Sequence, residues 1–97
     1  MFRRLVLAVL AVLLFPSASR ADPFQFIDDK SGAVAAYVPV QVDGQFVGFT
    51  DMYGRIEIST QQPGVHTCTV RFLGRVFQLQ LNISGTQKKL TVVQLTG

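Results

Sequence analysis

The sequence predicts a small all-β domain, an antiparallel β-sandwich of Greek-key type with about seven strands. Three observations lead to this prediction. After the first 21 residues, apolar and polar residues alternate in short runs, turn residues separate these runs, and no stretch has the apolar period of a helix. Alternation of this kind indicates strands with one buried face and one solvated face. The chain is long enough for one such domain and too short for two.

The first 21 residues have the three parts of a secretory signal peptide. Arg3–Arg4 give a positive start, an apolar run extends from Leu5 to Phe15, and the small residues Ser19 and Ala21 suit a signal peptidase. The apolar run is shorter than the roughly 20 residues of a membrane-spanning helix. We therefore expect cleavage after Ala21 rather than a membrane anchor. The mature domain, residues 22–97, is then secreted or periplasmic and has no stable membrane insertion.

The charge balance of the expected mature chain argues against a nucleic-acid partner. The whole sequence has nine Lys and Arg residues, six Asp and Glu residues and a net charge of +3. Arg3, Arg4 and Arg20 lie in the signal peptide, which contains no acid, so six cations and six carboxylates are left. A nucleic-acid-binding domain needs a basic face. A mature chain without net charge does not suggest one.

The first three predicted strands are one separate strand followed by a tight hairpin. Phe24–Asp28 is the first strand, and Val38–Val42 is the second, with its valines on one face. Pro39 cannot donate a ladder hydrogen bond, which places it in an edge strand or at a strand start. Asp43 and Gly44 form the predicted hairpin turn, because glycine adopts positive φ at no steric cost. The chain returns as Phe46–Thr50.

A second turn follows directly and needs two particular residue types. The carboxylate of Asp51 is suited to accept backbone N–H groups two or three residues further on. Gly54 is suited to the left-handed conformation that ends such a turn. The fourth strand, Arg55–Ser59, then alternates with Ile56 and Ile58 facing inward.

The remaining strands are the longest of the domain. Pro63 and Gly64 suit the central positions of a turn, and the fifth strand, Val65–Leu73, follows them. The sixth strand, Arg75–Ile83, has one apolar and one polar face, and Lys89–Leu95 closes the domain.

The turn chemistry resembles that of two known groups of domains. Val40–Thr50 resembles the opening of a PEGA-type domain, and Pro63–Thr67 with Gly74 continues that pattern. Thr50–Arg55 is similar to the Thr-Asp-x-x-Gly turn of carboxypeptidase regulatory-like domains, and Ile27–Gly32 is similar to their first-strand turn. The sequence departs from the PEGA pattern after the hairpin, where Thr-Pro is usual, because Asp51 follows Thr50. The resemblance implies a prealbumin-like sandwich that serves as a non-catalytic module of envelope or secreted proteins.

The residues for nucleophilic catalysis are few. His66 and Cys68, the single histidine and the single cysteine, lie two residues apart. On a strand they share one face about 7 Å apart, so a Cys–His dyad is conceivable. No cleft or oxyanion hole accompanies it, and alternation with Val70 and Phe72 predicts a buried thiol. We expect no enzymatic activity and no disulfide within the chain; an intermolecular disulfide through Cys68 is the alternative.

A metal centre or cofactor is not predicted either. One histidine and one cysteine fall short of the three or four ligands that zinc prefers. Asp28, Asp29 and Asp51 lie in turns that could converge on a calcium ion, but they lack the spacing of a calcium loop. Solvated turn aspartates are the simpler interpretation.

Three aromatic residues, Phe46, Phe49 and Tyr53, are the candidate binding residues. Phe46 and Phe49 differ in parity, so a regular strand would expose one of them, and we predict Phe46. Exposed aromatic side chains beside an open strand edge suit a protein or glycan partner; scattered surface hydrophobes without a role are the alternative. The second functional hypothesis is a structural or assembly subunit, or a homo-oligomer, built by strand-edge pairing. A small hydrolase is the third.

Overall fold

The computed structural model describes residues 21–96, so the predicted signal peptide lies outside the described residues except for Ala21. These residues form an all-β sandwich of seven strands in two sheets, which confirms the predicted fold class. The sixth strand has the predicted bounds, and the others differ at their ends by one or two residues. In chain order the strands are β1 (Asp22–Asp28), β2 (Pro39–Val42), β3 (Gln45–Phe49), β4 (Arg55–Ile58), β5 (Gly64–Phe72), β6 (Arg75–Ile83) and β7 (Thr91–Leu95).

The two sheets have three and four strands. The smaller has the order β4-β1-β7, and the larger has the order β3-β2-β5-β6. All neighbouring pairs are antiparallel except β1 and β7, which run parallel from Phe24 opposite Thr91 to Asp28 opposite Leu95. The prediction of an antiparallel sandwich is therefore correct apart from this one pair. Such a pair needs a long crossover connection, and here the connection from β1 to β7 contains all five remaining strands, β2 to β6.

The core lies between the inner faces of the two sheets. β1 alternates strictly between buried and half-buried residues, and Phe24 and Phe26 are almost fully buried. Burying a phenylalanine side chain stabilises a fold by roughly 1.5–3 kcal/mol, so β1 contributes a large share of the apolar energy. Every buried apolar residue of the cluster lies between Phe24 and Leu95. Within residues 21–96, one apolar cluster therefore joins the two sheets.

Cys68 belongs to this core, as predicted. Its side chain is fully buried in β5, on the same face as Val70. Burial raises the pKa of the Cys68 thiol to about 12, because a thiolate is poorly solvated in apolar surroundings. The thiol is therefore neutral at physiological pH and lies away from solvent.

The position of Pro39 shows which of its two predicted placements is correct, an edge strand or the start of a strand. It is the first residue of β2, and β2 lies between β3 and β5 inside the larger sheet. The strand-start interpretation is therefore correct, and the edge-strand interpretation is wrong. The edges of the larger sheet are β3 and β6.

Asp22, the first residue of β1, fixes the connection between β6 and β7. Its buried carboxylate accepts hydrogen bonds from the backbone N–H of Ser84 at 2.7 Å and of Gln87 at 3.0 Å. Buried carboxylates are stable in folded proteins when their oxygens are hydrogen-bonded in this way. This role of Asp22 has no local signal in the sequence, because its partners lie more than 60 residues away.

Candidate functional site

A β-bulge in β3 determines which aromatic side chains face solvent. Gln41 of β2 pairs with Phe46, whereas the preceding Val40 pairs with Gly48, so Val47 is an extra residue in β3. A bulge of this kind breaks the two-residue alternation of a strand. Phe46 and Phe49 consequently emerge on the same outer face, 57% and 63% exposed. The prediction that Phe46 is exposed is correct, and the expectation that Phe49 would then face the core is wrong.

The two phenylalanine rings pack against each other. Their centroids lie 5.2 Å apart and their planes meet at 68°, an edge-to-face arrangement. Such pairs hold each other in a defined orientation, since the positive edge of one ring meets the negative face of the other. We call the surface formed by Phe46, Val47 and Phe49 the aromatic edge. It presents apolar side chains to solvent.

The backbone beside the aromatic edge is open for pairing. Among residues 21–96, β2 is the one strand hydrogen-bonded to β3. The backbone N–H of Thr50 donates to the carbonyl of Val38 at 2.9 Å. In an antiparallel ladder successive N–H groups alternate in direction, so the N–H of Phe49 points away from β2. An exposed edge of this type can accept a further strand.

Tyr53, the third candidate, lies apart from the aromatic edge. Its ring, 54% exposed, is covered by the guanidinium of Arg55 at 5.5 Å, and its carbonyl accepts a hydrogen bond from Gln25 Nε2 at 2.8 Å. In the described part of the chain its ring forms no aromatic pair with Phe46 or Phe49. The structure thus brings together two of the three candidate residues.

The turn before β4 is built by Asp51. Its Oδ1 atom accepts hydrogen bonds from the N–H of Tyr53 at 2.8 Å and of Arg55 at 2.9 Å. Gly54 has φ of +75°, and its carbonyl accepts a hydrogen bond from the N–H of Phe26 in β1 at 2.9 Å. The turn therefore connects β3 to the smaller sheet at a fixed position.

The hairpin turn between β2 and β3 uses the carboxylate of its aspartate as well as its backbone. Asp43 and Gly44 have φ of +51° and +80°, as in the two-residue turns that suit β-hairpins. The Oδ1 atom of Asp43 accepts a hydrogen bond from the N–H of Thr67 at 3.1 Å. Its Oδ2 atom lies 2.6 Å from Nδ1 of His66. The hairpin is therefore attached to β5.

His66 lies between two hydrogen-bond acceptors. Nδ1 faces the Asp43 carboxylate, and Nε2 lies 2.7 Å from the carbonyl of Gln62. An imidazole that donates from both nitrogens is the protonated, charged form. These hydrogen bonds, the one to the Asp43 carboxylate foremost, raise the pKa of His66, and the hydrogen bond donated by His66 lowers the pKa of Asp43. Gly64, with φ of +142°, starts β5 directly after Pro63 and brings His66 into this position.

The arrangement does not activate Cys68. Both nitrogens of His66 face Asp43 and Gln62, and the high pKa of Cys68 keeps its thiol neutral. Nucleophilic catalysis by cysteine requires a thiolate. Within residues 21–96, no three His, Cys, Asp or Glu side chains come together as metal ligands, and no helix is long and apolar enough to cross a membrane.

We predict that the contact between Asp43 and His66 makes stability depend on pH. A raised histidine pKa stabilises the fold below the ordinary value of 6.5, and this stabilisation is lost as pH rises through the higher folded value. A lowered aspartate pKa stabilises the fold above 3.8, and this stabilisation is lost as pH falls through the lower folded value. The pair therefore stabilises the domain most between pH 3.8 and 6.5.

Urea unfolding at several pH values checks this prediction on the alkaline side. From about pH 6 to about pH 9 the wild-type protein should lose more stability than the His66→Gln and Asp43→Asn variants, which lack the ion pair. Since His66 is the single histidine of the chain, the difference between the curves is due to this residue. Parallel curves for the wild type and both variants would contradict the prediction.

Two features of the site were not predicted from the sequence: the shared face of Phe46 and Phe49, and the contact between Asp43 and His66. Only the first of them has a signal in the sequence. Gly48 lies inside a strand, where glycine often marks a bulge, and this signal could have warned that the parity argument for Phe46 and Phe49 fails. The contact between Asp43 and His66 had no comparable signal, because the two residues lie 23 positions apart.

The sequence matches no protein-family model and no curated protein. The exposed geometry of the aromatic edge is the observation that points to a function.

Proposed function

We propose that the protein is an exported, non-catalytic β-sandwich module that binds a partner protein along the aromatic edge. The observation that carries this proposal is the pair of exposed phenylalanine rings, held 5.2 Å apart beside an unpaired strand edge. The side chains supply apolar contact area, and the open backbone of β3 supplies hydrogen bonds. An extended segment of a partner can use both at once, because strand addition combines backbone pairing with side-chain contacts.

A protein partner fits this surface better than a glycan. Small-molecule sites are concave and contain a few polar groups that fix the ligand's orientation. The aromatic edge is exposed and apolar, and its rings meet at 68°, so they do not form one flat platform for a sugar ring. Two shallow grooves elsewhere on the domain, one beside Glu57 and one beside Arg71, do not include Phe46 or Phe49.

Self-assembly is the second candidate function, and the same strand edge supports it. Two copies related by a two-fold axis could pair their β3 edges, since a two-fold interface uses the same surface on both subunits. Size-exclusion chromatography with light scattering distinguishes the candidates. A dimer that is lost in the Phe46→Ser/Phe49→Ser variant supports self-assembly, whereas a monomer at all concentrations supports a different partner.

The proposed export rests on the amino-terminal sequence pattern. The charged start, the short apolar run and the small residues before Ala21 suit a cleaved signal. Intact mass spectrometry of the protein from the medium and from each cell fraction tests this. A secreted or periplasmic chain that begins at Asp22 is expected, and an uncut chain in the membrane fraction would argue against export.

The binding proposal is tested by capture followed by titration. Residues 22–97 are immobilised, and binding partners are captured from the envelope and the medium of the source cells. Each captured protein is then purified, and its affinity for residues 22–97 is measured by titration. We expect Phe46→Ser/Phe49→Ser to weaken binding at least about tenfold, as loss of an aromatic anchor does. Val92→Ser is the matched control, since Val92 is an exposed apolar residue of β7 in the other sheet.

Tyr53→Ala provides a second comparison. Its ring lies with Arg55 rather than with Phe46 and Phe49, so we expect binding close to that of the wild type. Equal affinity of the wild type and the Phe46→Ser/Phe49→Ser variant for every purified partner would rule out the aromatic edge as the binding surface.

A further inference from the structure

The turn between β5 and β6 contains a residue that turn chemistry does not favour. Leu73 and Gly74 have φ of +54° and +72°. Two-residue hairpin turns with positive φ at both positions favour asparagine, aspartate or glycine, and a leucine there is strained. The Leu73 side chain is also 68% exposed, so core packing does not stabilise it. Neither the turn nor the core accounts for leucine at this position.

Cationic side chains lie on both faces of the hairpin next to this leucine. Arg71 pairs with Val76 across the strands, and Phe72 pairs with Arg75. Because strand neighbours point to opposite faces, one arginine lies on each face. Arg71 and Val76 are exposed, and the Arg75 guanidinium covers the Phe77 ring at 4.8 Å. We call the segment Arg71–Val76 the hairpin tip.

The charge of the hairpin tip is not neutralised by a direct ion pair. Within residues 21–96 no carboxylate lies within 4.0 Å of either arginine. The Asp28 carboxylate is buried, lies beyond ion-pair distance of Arg75, and accepts hydrogen bonds from Ser31 through its Oδ2 atom. Both guanidinium groups therefore keep donors for an anionic partner. A shallow groove of about 300 Å³ lies between Arg71, Arg75 and the neighbouring apolar side chains.

We propose that the hairpin tip is a peripheral site for a bilayer that contains anionic phospholipid. Leu73 enters the boundary between head groups and acyl chains, and Arg71 and Arg75 bind lipid phosphates on either side. This pattern, an exposed apolar residue flanked by long cationic side chains, suits an interface that is apolar on one side and negatively charged on the other. The hairpin tip shares no residue with the aromatic edge, and β2 lies between β3 and β5 in the larger sheet.

Sedimentation with vesicles tests the proposal directly. The domain, residues 22–97, is mixed with vesicles of phosphatidylcholine alone or with an equal amount of phosphatidylglycerol. The apolar run before Ala21 would itself bind lipid, so it is left out, and the chain used keeps the core cluster between Phe24 and Leu95. We expect binding to the anionic vesicles, little binding to neutral vesicles, and weaker binding as salt is added, since salt screens the arginine charges. Absence of binding to anionic vesicles overturns the proposal.

Leu73→Asn separates a lipid-binding role from a structural one. Asparagine tolerates positive φ, so this variant should unfold a few degrees higher than the wild type. It removes the apolar residue at the apex, and we expect vesicle binding at least about tenfold weaker. Arg71→Gln/Arg75→Gln should weaken binding and reduce its salt dependence. A more stable Leu73→Asn protein that binds vesicles as the wild type does would overturn the proposal.

Fluorescence shows whether position 73 enters the bilayer. The chain has no tryptophan, so Leu73→Trp gives a single reporter, and Val92→Trp on β7 gives its control. Anionic vesicles should shift the emission of the first variant to shorter wavelength and leave that of the second unchanged. An acidic partner protein is the competing explanation. Binding to immobilised polyglutamate that is stronger than binding to vesicles, with no shift for Leu73→Trp, would overturn the lipid assignment.

Discussion

Replacing Gly54 with alanine is expected to lower the free energy of unfolding by about 3 kcal/mol or more, which a domain of this size barely tolerates. A Cβ atom on Gly54 would lie 2.8 Å from the carbonyl oxygen of Phe26 and 3.0 Å from the backbone nitrogen of Ala35. These two atoms are hydrogen-bonded to each other at 2.9 Å. The added methyl group would therefore push apart two backbone segments, in addition to the strain of φ at +75°.

Two other glycines provide matched controls for this prediction. Gly44 and Gly74 have φ of +80° and +72°, but a Cβ atom on either would meet nothing within 4 Å. Alanine at these positions should cost only the backbone strain, about 1 kcal/mol. Urea unfolding of the three variants separates strain from crowding, and equal losses of stability in all three would contradict the role assigned to Gly54.

Replacing Thr50 with valine is expected to lower the free energy of unfolding by about 3 kcal/mol. The buried Thr50 hydroxyl donates to the carbonyl of Ala35 at 2.5 Å and accepts from the N–H of Val38 at 2.9 Å. Valine has nearly the same shape and lacks the hydroxyl. Two backbone groups would remain without these hydrogen bonds, and each buried unsatisfied group costs about 1–3 kcal/mol.

Serine at position 50 tests whether the missing hydroxyl causes the loss of stability expected for Thr50→Val. Thr50→Ser keeps both hydrogen bonds and removes one methyl group, so its loss of stability should be about 1 kcal/mol. Thermal and urea unfolding of both variants measure the difference. If Thr50→Val were as stable as Thr50→Ser, the hydroxyl would not be the link that holds the segment from Ala35 to Val38 against β3.

The seven strands could be predicted from the sequence because each has its own local signal. Alternation over Arg75–Ile83 gave the bounds of β6, and Asp43 and Gly44 marked the turn of the first hairpin. The parallel pairing of β1 with β7 could not be predicted. The two-residue period shows which face of a strand is buried and contains no information about its neighbour in the sheet.

The candidate site could be predicted less completely than the fold, because two of its features have no local rule behind them. Parity placed Phe46 and Phe49 on opposite faces, and this argument holds only for an uninterrupted strand. The extra residue, Val47, reverses the parity between them. The contact between Asp43 and His66 depends on the register of β2 against β5, which follows from packing of the whole sheet.

The central position of β1 in the smaller sheet has a consequence for the order in which the domain can fold. β1 is made first, yet its parallel neighbour consists of residues Thr91–Leu95. A growing chain cannot complete this sheet until β7 has been synthesised, and distant pairings of this kind slow folding. The topology thus delays completion of the native sandwich until Thr91–Leu95 is available to pair with β1, so partly synthesised chains leave one edge of β1 unpaired.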